Sequence, residues 1–449
     1  MQSARKVLAP LTPSAQAVGY TGGVGGARSS GLVAAALAAA LVAAAAAAAS
    51  PSARFGIEDD AWLRNGPGTL EQRLARLDGL GVRTVRFTLR WDQVATTKPA
   101  DPLDPSDPAY DWTPFDAVLD GLHAHGITTV LTIWGAPSWA NGGHPPNWLP
   151  RSGIGDFAYA ASTRYPWIHL WTVWNEPNSR VFAAPVSPAL YVGDALNPAY
   201  AALHRASRAN VVAGGVTSPR QPPSGMAPTT FMAGMRAAHA RLDAYAANPY
   251  ASSTRETPFV DPCRTCTTLT MAHLGTLRAD VTRLFGNVPL WLTEYGYQTN
   301  PPDRLLGVSY ALQATYIGEA ALRVWEQPGT TMLIQFLVQD EPELGGWQSG
   351  LFTVTGRAKP SLAAFRLPLA EMSRRGDAVT LWGQVRPGGG RRAYVIQRRS
   401  GGRWLAIGAV RRSGDGGTFR VTLQARAGTA VRVYAPALGY ASPALVLSY

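Results

Sequence analysis

From about residue 54 onward, short apolar segments rich in β-branched residues alternate with longer amphipathic ones. The short segments predict strands at 54–58, 84–89, 128–134, 169–174, 210–216, 242–248, 289–293 and 331–338. The intervals carry helical spacing, as in 70–80, 113–125, 190–209, 269–285 and 309–326. The strands follow one another at the interval that a strand, a helix and two loops occupy. Eight such units predict an α/β fold of the closed (β/α)8 (TIM) barrel type over residues 51–369. An open doubly wound sheet is the alternative, but no Gly-rich phosphate-binding turn follows the first strand.

After Pro368 the rhythm shortens. Segments 379–385, 393–398, 404–410, 418–424, 431–435 and 444–448 are separated by Gly-rich turns such as Pro387-Gly388-Gly389-Gly390. They predict a C-terminal all-β sandwich over 370–449. At the other end, residues 31–49 form an unbroken apolar run, mostly Ala, with basic residues before it and Pro51 just beyond. This marks 1–50 as a secretory signal peptide or, if uncleaved, a single-pass anchor. Either sends the chain out of the cytoplasm, so a secreted or cell-surface location is expected.

The net charge of +12 would suggest a nucleic-acid partner if it were spread along the chain. It is not. Arg5, Lys6 and Arg28 put +3 on the leader, and thirteen Arg against Glu371, Asp377 and Asp415 put +10 on 370–449. The barrel segment is left at −1, which excludes a polyanion-reading core and leaves no nucleic-acid partner to expect. The basic tail is either a stabilising appendage or a tether to an anionic cell-wall polymer. Its removal is expected to leave turnover of a small soluble substrate nearly unchanged. Two cysteines can build neither a disulfide scaffold nor a four-ligand zinc site. Cys263 and Cys266 stand as C-x-x-C in a loop, and in an exported chain without a second pair a local disulfide is the expected use.

Reacting groups in a parallel barrel sit where strands end. Those ends bring Trp174-Asn175-Glu176-Pro177-Asn178 after strand four and Thr293-Glu294-Tyr295-Gly296 after strand seven. Two carboxyls on different strand ends can face each other across the barrel mouth, as cleavage of a glycosidic bond requires. The Asn-Glu-Pro after strand four and the Glu after strand seven resemble the clan A glycoside hydrolases. Trp171-Thr-Val-Trp-Asn-Glu-Pro-Asn178 is nearest to families 39 and 5, and the resemblance spans roughly 55–369.

It implies a retaining O-glycosyl hydrolase with Glu176 as acid/base and Glu294 as nucleophile, acting on a poly- or oligosaccharide without cofactor or metal. Asn175 would bond the sugar 2-hydroxyl. Arg86, in Thr84-Val85-Arg86, resembles the clan's arginine beneath the nucleophile. Tyr250, in Ala247-Asn248-Pro249-Tyr250, would donate to Glu294, whereas Asn248 departs from the clan's usual His.

Fourteen Trp against twelve Phe is a large share of indole, and flat apolar faces suit sugar rings. Trp91, Trp134, Trp139, Trp148 and Trp347 fall at or beyond strand ends; Trp134, Trp139 and Trp347 are expected to contact substrate. Glu58, Asp59 and Asp60 crowd the end of strand one. The histidines His123, His125, His144 and His169 have no metal-ligand spacing. A monomer is expected. The rival readings are a transglycosylase sharing the first chemical step, and a silent polysaccharide-binding protein, which would usually have lost one Glu.

Overall fold

The computed structural model describes residue 50, residues 53–263 and residues 267–448. Residues 1–49 of the leader and Cys266 therefore lie outside the described residues. Eight parallel strands close into a barrel in sequence order: β1 (Arg54–Glu58), β2 (Thr84–Arg90), β3 (Thr128–Trp134), β4 (Leu170–Val173), β5 (Val211–Thr217), β6 (Ala244–Ala247), β7 (Leu290–Tyr295) and β8 (Thr330–Phe336). Each is followed by a helix: α1 (Leu70–Gly79), α2 (Thr113–Ala124), α3 (Ile154–Arg164), α4 (Asn197–Ala206), α5 (Pro228–Ala237), α6 (Leu274–Phe285), α7 (Tyr310–Glu326) and α8 (Pro360–Arg366). No helix among the described residues is long and apolar enough to cross a membrane.

Strand β2 shows how the sequence builds the site. Val85, Phe87 and Leu89 are fully buried in the layer beneath the helices. A strand alternates its side chains between faces, so Thr84, Arg86 and Thr88 point into the barrel. Across the interior the small Ala213, Ala244 and Ala246 leave room for Trp291, Met332 and Ile334. Small residues opposite large ones fill a barrel lumen without voids.

The sandwich pairs a three-stranded sheet, β9 (Leu369–Arg375), β10 (Ala378–Gln384) and β14 (Thr418–Gln424), with a second sheet. The second holds β11 (Ala393–Ser400), β12 (Arg403–Ala406), β13 (Arg411–Arg412), β15 (Ala430–Ala435), β16 (Tyr440–Ala441) and β17 (Leu445–Val446). Leu367 and Leu369 already belong to its core, slightly ahead of the expected boundary at 370, and strand β9 is absent from the sequence reading.

Sandwich and barrel share apolar packing. Ala321 and Leu322 of α7 meet Ala370 and Trp382 of the sandwich, with Phe55 and Trp325 against them. Gly318 lets α7 approach so closely that a Cβ there would stand 2.5 Å from Leu369 O. Arg386, buried, donates from Nη1 to Phe365 O (2.8 Å) and lies 3.9 Å from the Phe55 ring centroid. Burial pulls its pKa down to about 9.

Candidate active site

Arg86 is the hub. One guanidinium, 1% exposed, donates to four side chains from four different strands or their ends. Nε reaches Thr132 Oγ1 (2.9 Å), Nη2 reaches Asn175 Oδ1 (2.9 Å), and Nη1 reaches both Glu58 Oε2 (2.6 Å) and Glu294 Oε1 (2.5 Å). The rigid fork of Arg suits such fixed multiple bonding. Glu294 takes a second bond on its other oxygen, from the Tyr250 hydroxyl (2.9 Å). Its carboxylate is thus fixed at both atoms.

Glu176 follows β4 in a strained turn. Trp174 (φ 69°) and Glu176 (φ 39°) both occupy the left-handed region, at a cost of roughly 1 kcal/mol or more each. The surroundings hold the turn. Trp174 N donates to Ile133 O (2.8 Å) and its Nε1 to Phe182 O (2.8 Å). Asn178 clamps the β5 exit, accepting from Ser218 N (3.0 Å) and donating to Ser218 O (2.8 Å).

The Glu176 carboxyl then meets Asn248 Nδ2 at Oε1 (3.3 Å) and Arg220 Nη2 at Oε2 (3.4 Å). Thr293 donates to Asn248 Oδ1 (2.8 Å), which turns the amide's N–H side toward Glu176. Burial pushes the Glu176 pKa up to about 7, the charge of Glu294 adds to it, and Arg220 opposes.

The acids of strand one separate by role. Asp59 caps the following turn through Trp62 N (2.9 Å) and accepts from Val338 N and Gln339 N (3.1 Å each), tying β1 to the exit of β8. Glu58 and Asp60 line the cleft instead. Burial holds Glu58 well above the usual carboxylate range; Arg86 pulls it down and Glu294 pushes it further up.

These groups open onto one cleft of about 520 Å³. Glu58, Asp60, Asn175, Glu176 and Glu294 stand in it beside Trp134 and Trp347, with Arg64, Arg90, Arg220, Phe182 and Phe336 completing the wall. Trp347 also packs on Tyr250 (4.7 Å between centroids). The structure therefore brings together Arg86, Asn175, Glu176, Asn248, Tyr250, Glu294, Trp134 and Trp347.

Trp139 is a correction. It is not among the residues lining the cleft. Its Nε1 donates to Ala95 O (2.8 Å) and its ring meets Trp91 edge to face (5.6 Å). Trp91 is fully buried, stacked on Phe157, and Trp148 stacks on His144 at 3.7 Å. Arg220 and Phe182 are absent from the sequence reading. Arg220 stands three residues past the end of β5, where a search of every strand end would have met it.

Cys263 is disulfide-bonded. Among the described residues no group of three or more His, Cys, Asp or Glu is placed to hold a metal ion.

No protein-family model matches the sequence, and no curated protein matches it either. Solved structures do. A family 39 glycoside hydrolase enzyme from Xanthomonas axonopodis pv. citri is similar at 16% identity and TM-score 0.54, over 86% of this chain and 95% of that one. A monomeric β-xylosidase from Caulobacter crescentus is similar at 18% identity and TM-score 0.53, over 85% and 95%. A family 39 glycoside hydrolase from the gut symbiont Bacteroides cellulosilyticus is similar at 15% identity and TM-score 0.56, over 84% and 80%. At these identities the likeness is one of fold: the chain is built as a (β/α)8 barrel with a β-sandwich, and clan A glycoside hydrolases of family 39 are its structural neighbours.

Proposed function

We propose that the protein is a retaining glycoside hydrolase working by double displacement on a poly- or oligosaccharide. One observation carries this: two carboxyls at the ends of β4 and β7 share a cleft but differ in support. Glu294 takes short bonds from a guanidinium (2.5 Å) and a phenol (2.9 Å), whereas Glu176 is held only at 3.3 and 3.4 Å and is pushed up by burial and a like charge. Environments that differ in this way assign the nucleophile and the acid.

Glu294 attacks the anomeric carbon as Glu176 gives its proton to the leaving oxygen. Glu176 then takes a proton from the water that releases the sugar from Glu294. Asn175, its Oδ1 held by Arg86, keeps its N–H groups for a sugar hydroxyl. Trp134 and Trp347 offer ring faces to the sugar.

Screening on aryl glycosides and polysaccharides, with product anomers read by NMR, tests the reading. Retained configuration is expected. Glu294→Ala should lose turnover with every leaving group, and azide should restore it as an inverted glycosyl azide. Inverted hydrolysis products would overturn the mechanism. Transglycosylation is the alternative fate of the same intermediate and appears as longer products in the same assay.

We also infer that the chain is exported through residues 1–50 and acts as a monomer, and that the sandwich binds an anionic wall polymer. The support is the outer face of its second sheet. Arg399 lies opposite Trp404, and Arg432 lies opposite Gln397 and bonds its Oε1 (2.7 Å). The Arg432 guanidinium stands 4.5 Å from the Trp404 ring centroid, and β11, β12, β13 and β15 contain no Asp or Glu. Replacing Arg399, Trp404 and Arg432 by Ala should abolish retention on a polyuronate gel at low salt. Unchanged retention would leave the charge without this use.

A further inference from the structure

Arg220 lines the cleft from the loop after β5, with its side chain 36% exposed. Among the described residues its one ion-pair partner is Glu176, and its buried Nε has no hydrogen-bond partner. Of the other cleft arginines, Arg64 turns to Gln93 Oε1 (3.3 Å) and the Phe115 ring (5.0 Å), and the rest are held by carboxyls. Arg86 is committed to Glu58 and Glu294, and Arg90 grips both oxygens of Asp92 (2.7 and 2.6 Å).

Catalysis works against the Arg220–Glu176 pair. To act as an acid Glu176 must be neutral. Asn248 donates to Oε1, so the acid proton belongs on Oε2, the oxygen that faces Arg220. A guanidinium carries donors only. Protonation of Glu176 therefore leaves Arg220 as a cleft cation without a counter-charge. Because Glu176 stands beside the leaving oxygen, the loop that carries Arg220 borders the leaving sugar.

We propose that Arg220 selects a leaving sugar bearing an anionic substituent, a carboxylate or a sulfate ester, which replaces Glu176 as the counter-charge of its guanidinium. This rests on the glycosidase reading above. The groups facing Glu176 are Glu294 on β7, Arg220 and the Ser218 hydroxyl after β5, and Asn248 and Tyr250 at the end of β6. Of these, Arg220 is the cation that lowers the acid's pKa. A bound substrate anion that draws Arg220 away raises the acid in the complex and moves the alkaline limb of kcat to higher pH.

The test compares wild type, Arg220→Gln and Arg220→Lys on oligosaccharides cut at the same bond, with a neutral, uronic-acid or sulfated leaving residue. Wild type should prefer one anionic leaving residue by about tenfold or more in kcat/KM. That residue tells carboxylate from sulfate. The ratio should fall to near one in Arg220→Gln and be partly kept in Arg220→Lys. In Arg220→Gln the alkaline limb for the neutral substrate should move to higher pH, which a merely structural role would not cause. Equal rates in wild type, or a preference that survives Arg220→Gln, overturn the proposal. If no glycoside is cleaved, the glycosidase reading fails by itself. Calorimetric binding of the same compounds to Glu294→Gln, with and without Arg220→Gln, then decides about Arg220, since equal affinity for anionic and neutral compounds refutes it.

Discussion

Arg86 divides one positive charge between two buried carboxyls, Glu58 and Glu294. Removing it leaves both without a cation. Arg86→Met should cost on the order of 3–5 kcal/mol, because two buried carboxyls lose their shared cation; urea unfolding measures this. Glu176 gives a prediction of opposite sign. Its pKa stands at about 7 when folded, above the ordinary 4.5, so the folded chain holds a proton that the unfolded chain releases. That contribution is fully present below pH 4.5 and is lost as pH rises through 7. Glu176→Gln should therefore gain thermal stability relative to wild type above pH 7, and should not gain it at the acid end. An equal shift in melting temperature at both ends would contradict the buried charge. In active wild type, the alkaline limb of kcat/KM should fall near pH 7.

At the level of elements, what the sequence disclosed was what repeats. In Thr84-Val85-Arg86-Phe87 a charge between two apolar strand residues must have a specific place, and the clan resemblance put Arg86 beneath Glu294. Glu176 and Glu294 followed because strand ends carry chemistry whatever the loops do. Helices α3 and α5 escaped notice because Ile154–Arg164 and Pro228–Ala237 are rich in Ala, Gly and Thr, small residues that loops use as readily. Trp139 was misread because an indole past a strand end can lean outward to a sugar or inward to Trp91, and the chain carries no mark of which. Arg220 sits in an aperiodic loop, and its meaning appears only when the loop folds back on Glu176. Gly318 is a similar case. Replacing Gly by Ala inside a helix ordinarily stabilises by about 1 kcal/mol. In α7 the added methyl would meet the Leu369 carbonyl, so Gly318→Ala should destabilise by ~1–3 kcal/mol instead. Denaturant titration gives the sign directly.

The whole molecule does not separate at the boundary that the change of rhythm suggests. Cutting at 369 would remove Ala370 and Trp382 from Ala321, Leu322, Phe55 and Trp325, and would leave Phe365 O without Arg386. The isolated barrel should melt lower and self-associate, whatever the tail binds; scanning calorimetry with light scattering would show it, and an unchanged melting temperature would refute the shared core. A test of the tail is thus better made on its surface residues than by deletion.

The seat of the sandwich also fixes a direction. Strands point their ends, and hence the cleft, toward one pole of the barrel. The sandwich holds the other, with Pro387 against Gly81 just ahead of β2 and Arg386 over Phe55 at the start of β1. A molecule gripping a surface through that sandwich stands with its mouth outward. It would graze on chains arriving from the medium and spare the one underfoot, so immobilisation through the sandwich should preserve hydrolysis of a soluble polymer while the anchoring polymer stays intact.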